Sequence, residues 1–255
     1  MTPRIFLAAP FAEGDTVVLP PPALRHVHAL RLERGGALVL FNGNDGADWP
    51  GELVETGRAR AVVRLGAPVA VGRELAGAVT LAIGMPANDR MDALVEKAGE
   101  LGAAAIQPLV CARSVLRLSG ERAEVRRRHW QAVAASASEQ CGRARVATVL
   151  PIAPFASWLR ALDRDAAKLR FVLSLARDAL DPVSAWAERA AGGSPCAIVL
   201  SGPEGGLEIA EEDAAVASGF VRVGLGPRVL RADTAPLAWL AWLGVRAFAE
   251  GGDRR

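Results

Sequence analysis

Up to about residue 65 the apolar positions come in short runs closed off by turn formers. Thr16 to Leu19, Ala37 to Phe41 and Ala61 to Leu65 read as strands. Asn42-Gly43-Asn44-Asp45-Gly46 is a strong turn signal between two of them. Leu24 to Leu32 reads as one helix, with Leu24, Val27, His28 and Arg31 near one face. The pattern predicts a small β-barrel carrying one helix. Gly66 to Gly77 is rich in turn formers and has no long period, so it reads as a linker.

After the linker, strand-like runs alternate with helical stretches. Val79 to Gly84 precedes Asn88 to Leu101, and Ala104 to Val110 precedes Glu121 to Gln140. Leu169 to Leu175 precedes Pro182 to Ala191, Ala197 to Ser201 precedes Ile209 to Ala217, and Phe220 to Val223 precedes Thr234 to Ala249. Such alternation predicts an α/β fold with a mostly parallel sheet covered by helices. In the first of these helices Met91, Leu94, Val95, Ala98 and Leu101 form a buried stripe; Asn88 or Asp89 can cap it and Gly102 can end it. In the last, Leu237, Trp239, Leu240, Trp242, Leu243, Val245 and Phe248 leave almost no polar face. A helix apolar all round is buried on more than one side, so its second side is expected to meet another subunit. The expected domains are residues 1–70 and 75–255.

Composition narrows the class. The chain has 255 residues, 51% of them hydrophobic, as in a globular protein. No apolar run reaches the roughly 20 residues of a membrane span. The stretch after Arg4 is short and broken by Pro10 and Glu13, a poor frame for a signal peptide, so a cytoplasmic protein is expected. Cys111, Cys141 and Cys196 are far apart and read as small buried residues. His26 and His28 have no carboxylate or cysteine nearby to complete a metal set, and His28 and His129 read as structural; no metal is expected. The formal net charge is only +2, but from Arg113 to Arg145 eight arginines face Glu121, Glu124 and Glu139. That run is either a phosphate-binding face or a solvated helix surface.

Two loops carry the candidate chemistry. Ala197 to Ser201 runs into Gly202-Pro203-Glu204-Gly205-Gly206 and then a helix opening with Glu208, Glu211 and Glu212. In open α/β sheets ligands bind at the carboxyl ends of strands, and glycines let backbone groups approach them. The loop lacks the dinucleotide and phosphate-loop fingerprints. The acidic helix start would repel a pyrophosphate, so an uncharged or cationic ligand fits better. The second loop is Gly224-Leu225-Gly226-Pro227-Arg228-Val229-Leu230-Arg231, followed by a helix that Asp233 or Thr234 can cap. Each loop alone is as compatible with a plain turn as with a site. On adjacent parallel strands the two would face each other across a backbone-lined slot.

Gly-Pro-Glu-Gly-Gly followed about twenty residues later by Leu225-Gly226-Pro227-Arg228-Val229-Leu230-Arg231-Ala232-Asp233-Thr234 closely resembles the family of bacterial ribosomal RNA small subunit methyltransferase E, of the knotted (SPOUT) class. Arg4-Ile5-Phe6, His26 to Arg31, Glu96-Lys97-Ala98-Gly99-Glu100-Leu101-Gly102, Arg113-Ser114 and Glu139-Gln140-Cys141-Gly142-Arg143 match its further motifs in order, over nearly the whole chain. Ala87, Gly99, Ala112 and Asp233 depart from the residues usual there, lysine, threonine, glutamate and glutamate.

The resemblance implies an N-terminal PUA-like RNA-binding β-barrel and a C-terminal trefoil-knotted domain, an exception to unknotted topology. It implies methyl transfer from S-adenosyl-L-methionine to N3 of one uridine in 16S rRNA, by a homodimer acting on rRNA or the small ribosomal subunit. The cofactor candidates are Leu175, Ser201, Gly202, Pro203, Glu204, Gly205, Gly206, Leu225, Gly226, Pro227, Leu230 and Thr234. N3 must lose its proton to attack. Arg231 or Arg228 is the candidate to stabilise the resulting uracil anion, and Glu204, or a water, to handle the proton. N3 lies on the pairing edge, so the base must be unpaired or flipped out. Arg4, His26, Arg31, Arg113 and Arg143 are the candidates for holding RNA. Residues 1–70 carry seven arginines against seven acidic residues, so shape more than charge would guide contact there. A ribose 2′-O-methyltransferase of the same fold and a non-catalytic ribosome-assembly factor are the alternatives.

Overall fold

The computed structural model describes residues 2–87, 90–162, 169–189 and 196–251. The chain divides into two compact units: Met1–Glu74 with Ala135–Val146, and Leu75–Ala134 with Ala147–Arg255.

The first unit contains β1 (Arg4–Phe6), β2 (Thr16–Val18), α1 (Pro21–Ala29), β3 (Ala37–Phe41), β4 (Ala47–Thr56), β5 (Ala61–Leu65) and β6 (Val69–Ala70). Its sheet runs β1-β3-β4-β5-β2, with β6 on β4; only the β1–β3 pair is parallel. The alternating inward residues Leu38, Leu40, Leu53, Val63 and Leu65 pack with Ile5, Ala23, Val27 and Trp49 into one core. Three expectations are corrected here. Helix α1 starts at Pro21, three residues before Leu24, because prolines fit a first turn whose N–H groups have no helical partner. It ends before Arg31, whose φ of 52° takes it off the helical face. The stretch expected as a linker contains β6, and Arg73 and Glu74 beyond it donate to Gly142 O and accept from Arg143 within the same unit.

The second unit contains β7 (Val79–Gly84), α2 (Arg90–Glu100), β8 (Ala105–Val110), α3 (Gly120–Cys141, whose last residues belong to the first unit), β9 (Thr148–Val149), β10 (Ala153–Pro154), α4 (Phe155–Ala161), β11 (Leu169–Leu173), α5 (Pro182–Arg189), β12 (Ala197–Ser201), α6 (Ile209–Ala217), β13 (Val221–Val223) and α7 (Thr234–Gly251). The sheet runs β10-β8-β7-β12-β11-β13, with β9 also on β8, and every pair is parallel. β7 and β12 at its centre are buried along almost their whole length, as expected of parallel strands covered on both faces. Met91, Leu94, Val95 and Ala98 of α2 are buried as their spacing predicts, and Gly102 ends that helix region at φ 97°. The expected caps Asn88 and Asp89, the end of the Pro182–Ala191 helix and the side chain of Phe248 lie outside the described residues.

Helix α7 packs on α2 and β12. Trp239, Leu240 and Leu243 are buried, and Trp242 meets Trp186 and Trp239 edge-on or tilted, while Val245 is 71% exposed. The cysteines differ from expectation: Cys111 is buried, Cys141 half-buried and Cys196 exposed. Among the described residues no helix is long and apolar enough to cross a membrane, and no group of His, Cys, Asp and Glu is placed to hold a metal ion.

Candidate functional site

Because β7, β12, β11 and β13 run parallel, their carboxyl ends come out on one side of the sheet. Register places Ser201 opposite Ile83, Leu200 opposite Val172, and Leu173 opposite Val223. The expectation that the two glycine loops leave neighbouring strands is corrected: β11 lies between β12 and β13. A third segment, Ser174-Leu175-Ala176 at the end of β11, therefore enters the site.

The three segments enclose a cavity of about 630 Å³. Of the residues singled out from the sequence, Leu175, Ser201, Gly202, Pro203, Glu204, Gly205, Gly206, Leu225 and Leu230 line it, as do Arg228 and Arg231. Gly226, Pro227 and Thr234 are not in the lining; Gly226 takes φ 94° to turn the loop, and Thr234 starts α7. Backbone crowding explains the residue types. A Cβ on Gly84 would sit 2.5 Å from Pro203 Cδ, so the loop after β12 can lie directly over the end of β7.

Side chains hold the loops in place. Glu204 Oε1 accepts the Ala87 N–H at 2.9 Å and lies 3.5 Å from an Arg90 guanidinium nitrogen. Arg113 donates to Gly205 O at 2.9 Å, and the Ala112 N–H donates to Glu211 at 2.8 Å. Glu211 also closes a capping box with Glu208 at the start of α6, so two of its acidic side chains satisfy helix-end N–H groups. Glu212 accepts from Ser174 Oγ at 2.8 Å and from Arg222 Nε at 2.7 Å, and Ser174 Oγ accepts the Ala176 N–H. This fixes the middle segment. The hydrogen bond to Glu212, with Asp178 and Asp213 adding to it, holds the Arg222 guanidinium above its usual range. Beneath the loops, burial above all, with the charge of Glu211, pushes the Cys111 thiol up to about 12, against the hydrogen bond with Ser114. That thiol is protonated and inert as a nucleophile at neutral pH.

Arg90, Arg113, Arg228 and Arg231 are exposed and line the cavity from three segments. Among the described residues no carboxylate pairs with Arg228 or Arg231. Sequence reasoning missed Arg90, Ser174, Ala176 and Glu212 as lining residues. The only signal for Ser174 and Ala176 was their place at the carboxyl end of the expected strand Leu169 to Leu175.

The expected RNA contacts separate into two groups. Arg4 pairs with Asp48, donates to Arg143 O at 2.9 Å, and lies 4.7 Å from the Phe41 ring centroid. Arg143 is 3% exposed and gives two hydrogen bonds to Glu74. The guanidinium groups of both are turned into the first unit, which sets them apart from the exposed candidates. His26 is half-buried and Arg31 exposed, both on the first unit, while Arg113 belongs to the cavity. His28 meets Gly57 O at 3.1 Å and His129 meets Asp92 at 2.7 Å, roles internal to the fold.

Residues 73–244 match the model of the RNA methyltransferase domain family. The chain is 31% identical to ribosomal RNA small subunit methyltransferase E of Bacillus subtilis over 95% of its length and 94% of that protein's. It is 32% identical to the protein of the same name from Synechocystis, covering 94% of this chain and 77% of that one. A crystal structure of ribosomal RNA small subunit methyltransferase E from Neisseria gonorrhoeae bound to S-adenosyl methionine superposes with a TM-score of 0.86 at 33% identity, covering 96% of this chain and 98% of that one.

Proposed function

The chain belongs to the ribosomal RNA small subunit methyltransferase E family of RNA methyltransferases, and from that premise we propose that it methylates N3 of a uridine in 16S rRNA with S-adenosylmethionine as donor. The observation that carries this reading is the cavity itself: three backbone-rich segments at the carboxyl ends of parallel strands, rimmed by two arginines without an acidic partner among the described residues.

The residues suit the donor. The glycine segments leave room for a ligand against the main chain, and Leu175, Leu225 and Leu230 offer apolar surface to its adenine. Glu212 has a second carboxylate oxygen beyond the one held by Ser174 and Arg222, which suits a ligand bearing positive charge. Asp233 Oδ1, next to cavity-lining Ala232, is buried with no partner among the described residues and is an acceptor for a ligand donor. When bound, S-adenosylmethionine supplies a methyl group on a sulfonium cation, so the transfer calls for no metal.

The chain's own residues handle the uracil. Arg231 or Arg228 sits where a guanidinium can stabilise negative charge on O2 or O4 once N3 has lost its proton. Glu204 Oε1 is committed to Ala87 and Arg90, so the free Oε2, or a water beside it, is the acceptor for that proton. The first unit, 1–70 in the main, serves as a PUA-like RNA-binding barrel, and 75–255 as the knotted methyltransferase domain. The return of α7 onto β12 after the Leu225–Arg231 loop supports that topology. The enzyme acts in the cytoplasm as a homodimer, a reading supported by the exposed Val245 on α7.

Titration calorimetry with S-adenosylmethionine, together with mass spectrometry of nucleosides from the 16S rRNA of a deletion strain, tests the proposal. Loss of a methyluridine modified on the base is expected. Loss of a ribose methyl with base methylation intact would overturn N3 as the target, and no cofactor binding by folded protein would overturn catalysis.

A further inference from the structure

Arg4 and Arg143 are turned inward, while other arginines stand exposed outside the cavity lining. Among them, the arginine run of α3 brings exposed Arg122, Arg126 and Arg128 together on one helix. Glu124 is taken by Arg127, which donates to both its oxygens at 2.9 and 2.6 Å, and Arg128 approaches the same carboxylate at 4.0 Å. Those contacts leave Arg122 and Arg126, both exposed, with no ion pair among the described residues. They are four residues apart, so they share one face of the helix about 6 Å apart along its axis.

One turn beyond Arg126, Trp130 Nε1 donates to Asp92 Oδ1 at 2.8 Å, and the adjacent His129 meets Asp92 Oδ2 at 2.7 Å. Asp92 lies in the first turn of α2, two residues after Arg90, which lines the cavity. The clamp on Asp92 thus ties α3 to the start of α2, the helix that carries Arg90 at a basic rim shared with Arg113, Arg228 and Arg231.

We propose that Arg122 and Arg126 form a phosphate track for the RNA strand flanking the target base, running from the cavity rim along the first half of α3. The proposal rests on the reading of the cavity as an RNA methyltransferase site and names where its substrate is held. Guanidinium groups spaced along a helix and lacking internal partners bind a polyanion without reading its sequence. Their role is to supply affinity and to direct the strand, while the rim and cavity supply the chemistry.

The test measures binding of an unmethylated 16S rRNA transcript over a range of salt concentrations for the wild type, for R122Q/R126Q and for R160Q on α4 as control. Loss of two phosphate contacts is expected to flatten the slope of log affinity against log salt by about 1.4, at about 0.7 per contact to single-stranded RNA. Affinity at moderate salt should fall about tenfold. S-adenosylmethionine affinity by calorimetry should stay at the wild-type value in both variants, which separates a lost RNA contact from misfolding. Wild-type binding with an unchanged slope in R122Q/R126Q, or an equal loss in R160Q, overturns the track alone. A wild type that binds S-adenosylmethionine but not the RNA overturns both the track and the substrate assignment.

Discussion

Gly205 brings its backbone so close to Arg113 that an added Cβ would lie 3.1 Å from Arg113 Cβ, while its own carbonyl takes the Arg113 guanidinium. A Val there displaces Arg113 or fills the cavity. Gly205→Val is expected to weaken S-adenosylmethionine binding at least about tenfold, roughly 1.4 kcal/mol, with the circular dichroism spectrum retained. Wild-type affinity would remove the loop from the binding site. Thiol labelling reads burial at the same scale: Cys196 is expected to react quickly in the native protein and Cys111 only on unfolding. The raised Cys111 pKa also sets a sign. Below about 9 the thiol is protonated in both states and contributes no pH dependence. From there towards about 12 the unfolded chain loses its proton first, so this group makes stability fall as pH rises. Arg143 was legible in the sequence as a basic residue in a family motif, but not as a buried one. Arg143→Ala leaves Glu74 without its guanidinium and is expected to cost about 2–3 kcal/mol, or roughly 5–10 °C in Tm by calorimetry. An unchanged Tm would return Arg143 to the list of RNA contacts.

Among the elements, those with a sustained period or apolar run were readable, and the shortest strands, held only by their partners, were not. The α2 stripe follows from 3.6-residue spacing, and β12 from five consecutive apolar or small residues. β4 escaped because Pro50 and Gly51 break its alternation, although the strand continues through both. β6, β9 and β10 have two residues each and exist only through their partners β4 and β8. Helix α7 looks apolar all round in sequence, yet Trp242 is partly covered within the chain by Trp186, with Arg246 over both rings. Among the described apolar side chains of α7, Val245 is the large one left exposed. Val245→Glu is expected to shift a dimer towards the monomer mass in light scattering at micromolar concentration; an unaltered dimer would place the interface elsewhere.

For the whole molecule, the sequence by itself determined the class of architecture and the position of the binding loops. Hydrophobic period and turn chemistry are local, so a β-rich first part, an alternating second part and two glycine loops after strands could all be read from neighbouring residues. Tertiary structure alone decided what depends on residues far apart in the chain. It placed β11 between β12 and β13, which brought Ser174 to Ala176 and Glu212 into the cavity. It assigned Ala135–Val146 to the first unit, though the local pattern there is only the end of a long helix and the turn after it. It also sorted the arginines, pairing Arg4 with Asp48 forty-four residues on and Arg143 with Glu74 sixty-nine residues back. A guanidinium has the same charge wherever it stands. Whether it faces solvent or a carboxylate of its own chain is set by long-range packing that no local period records.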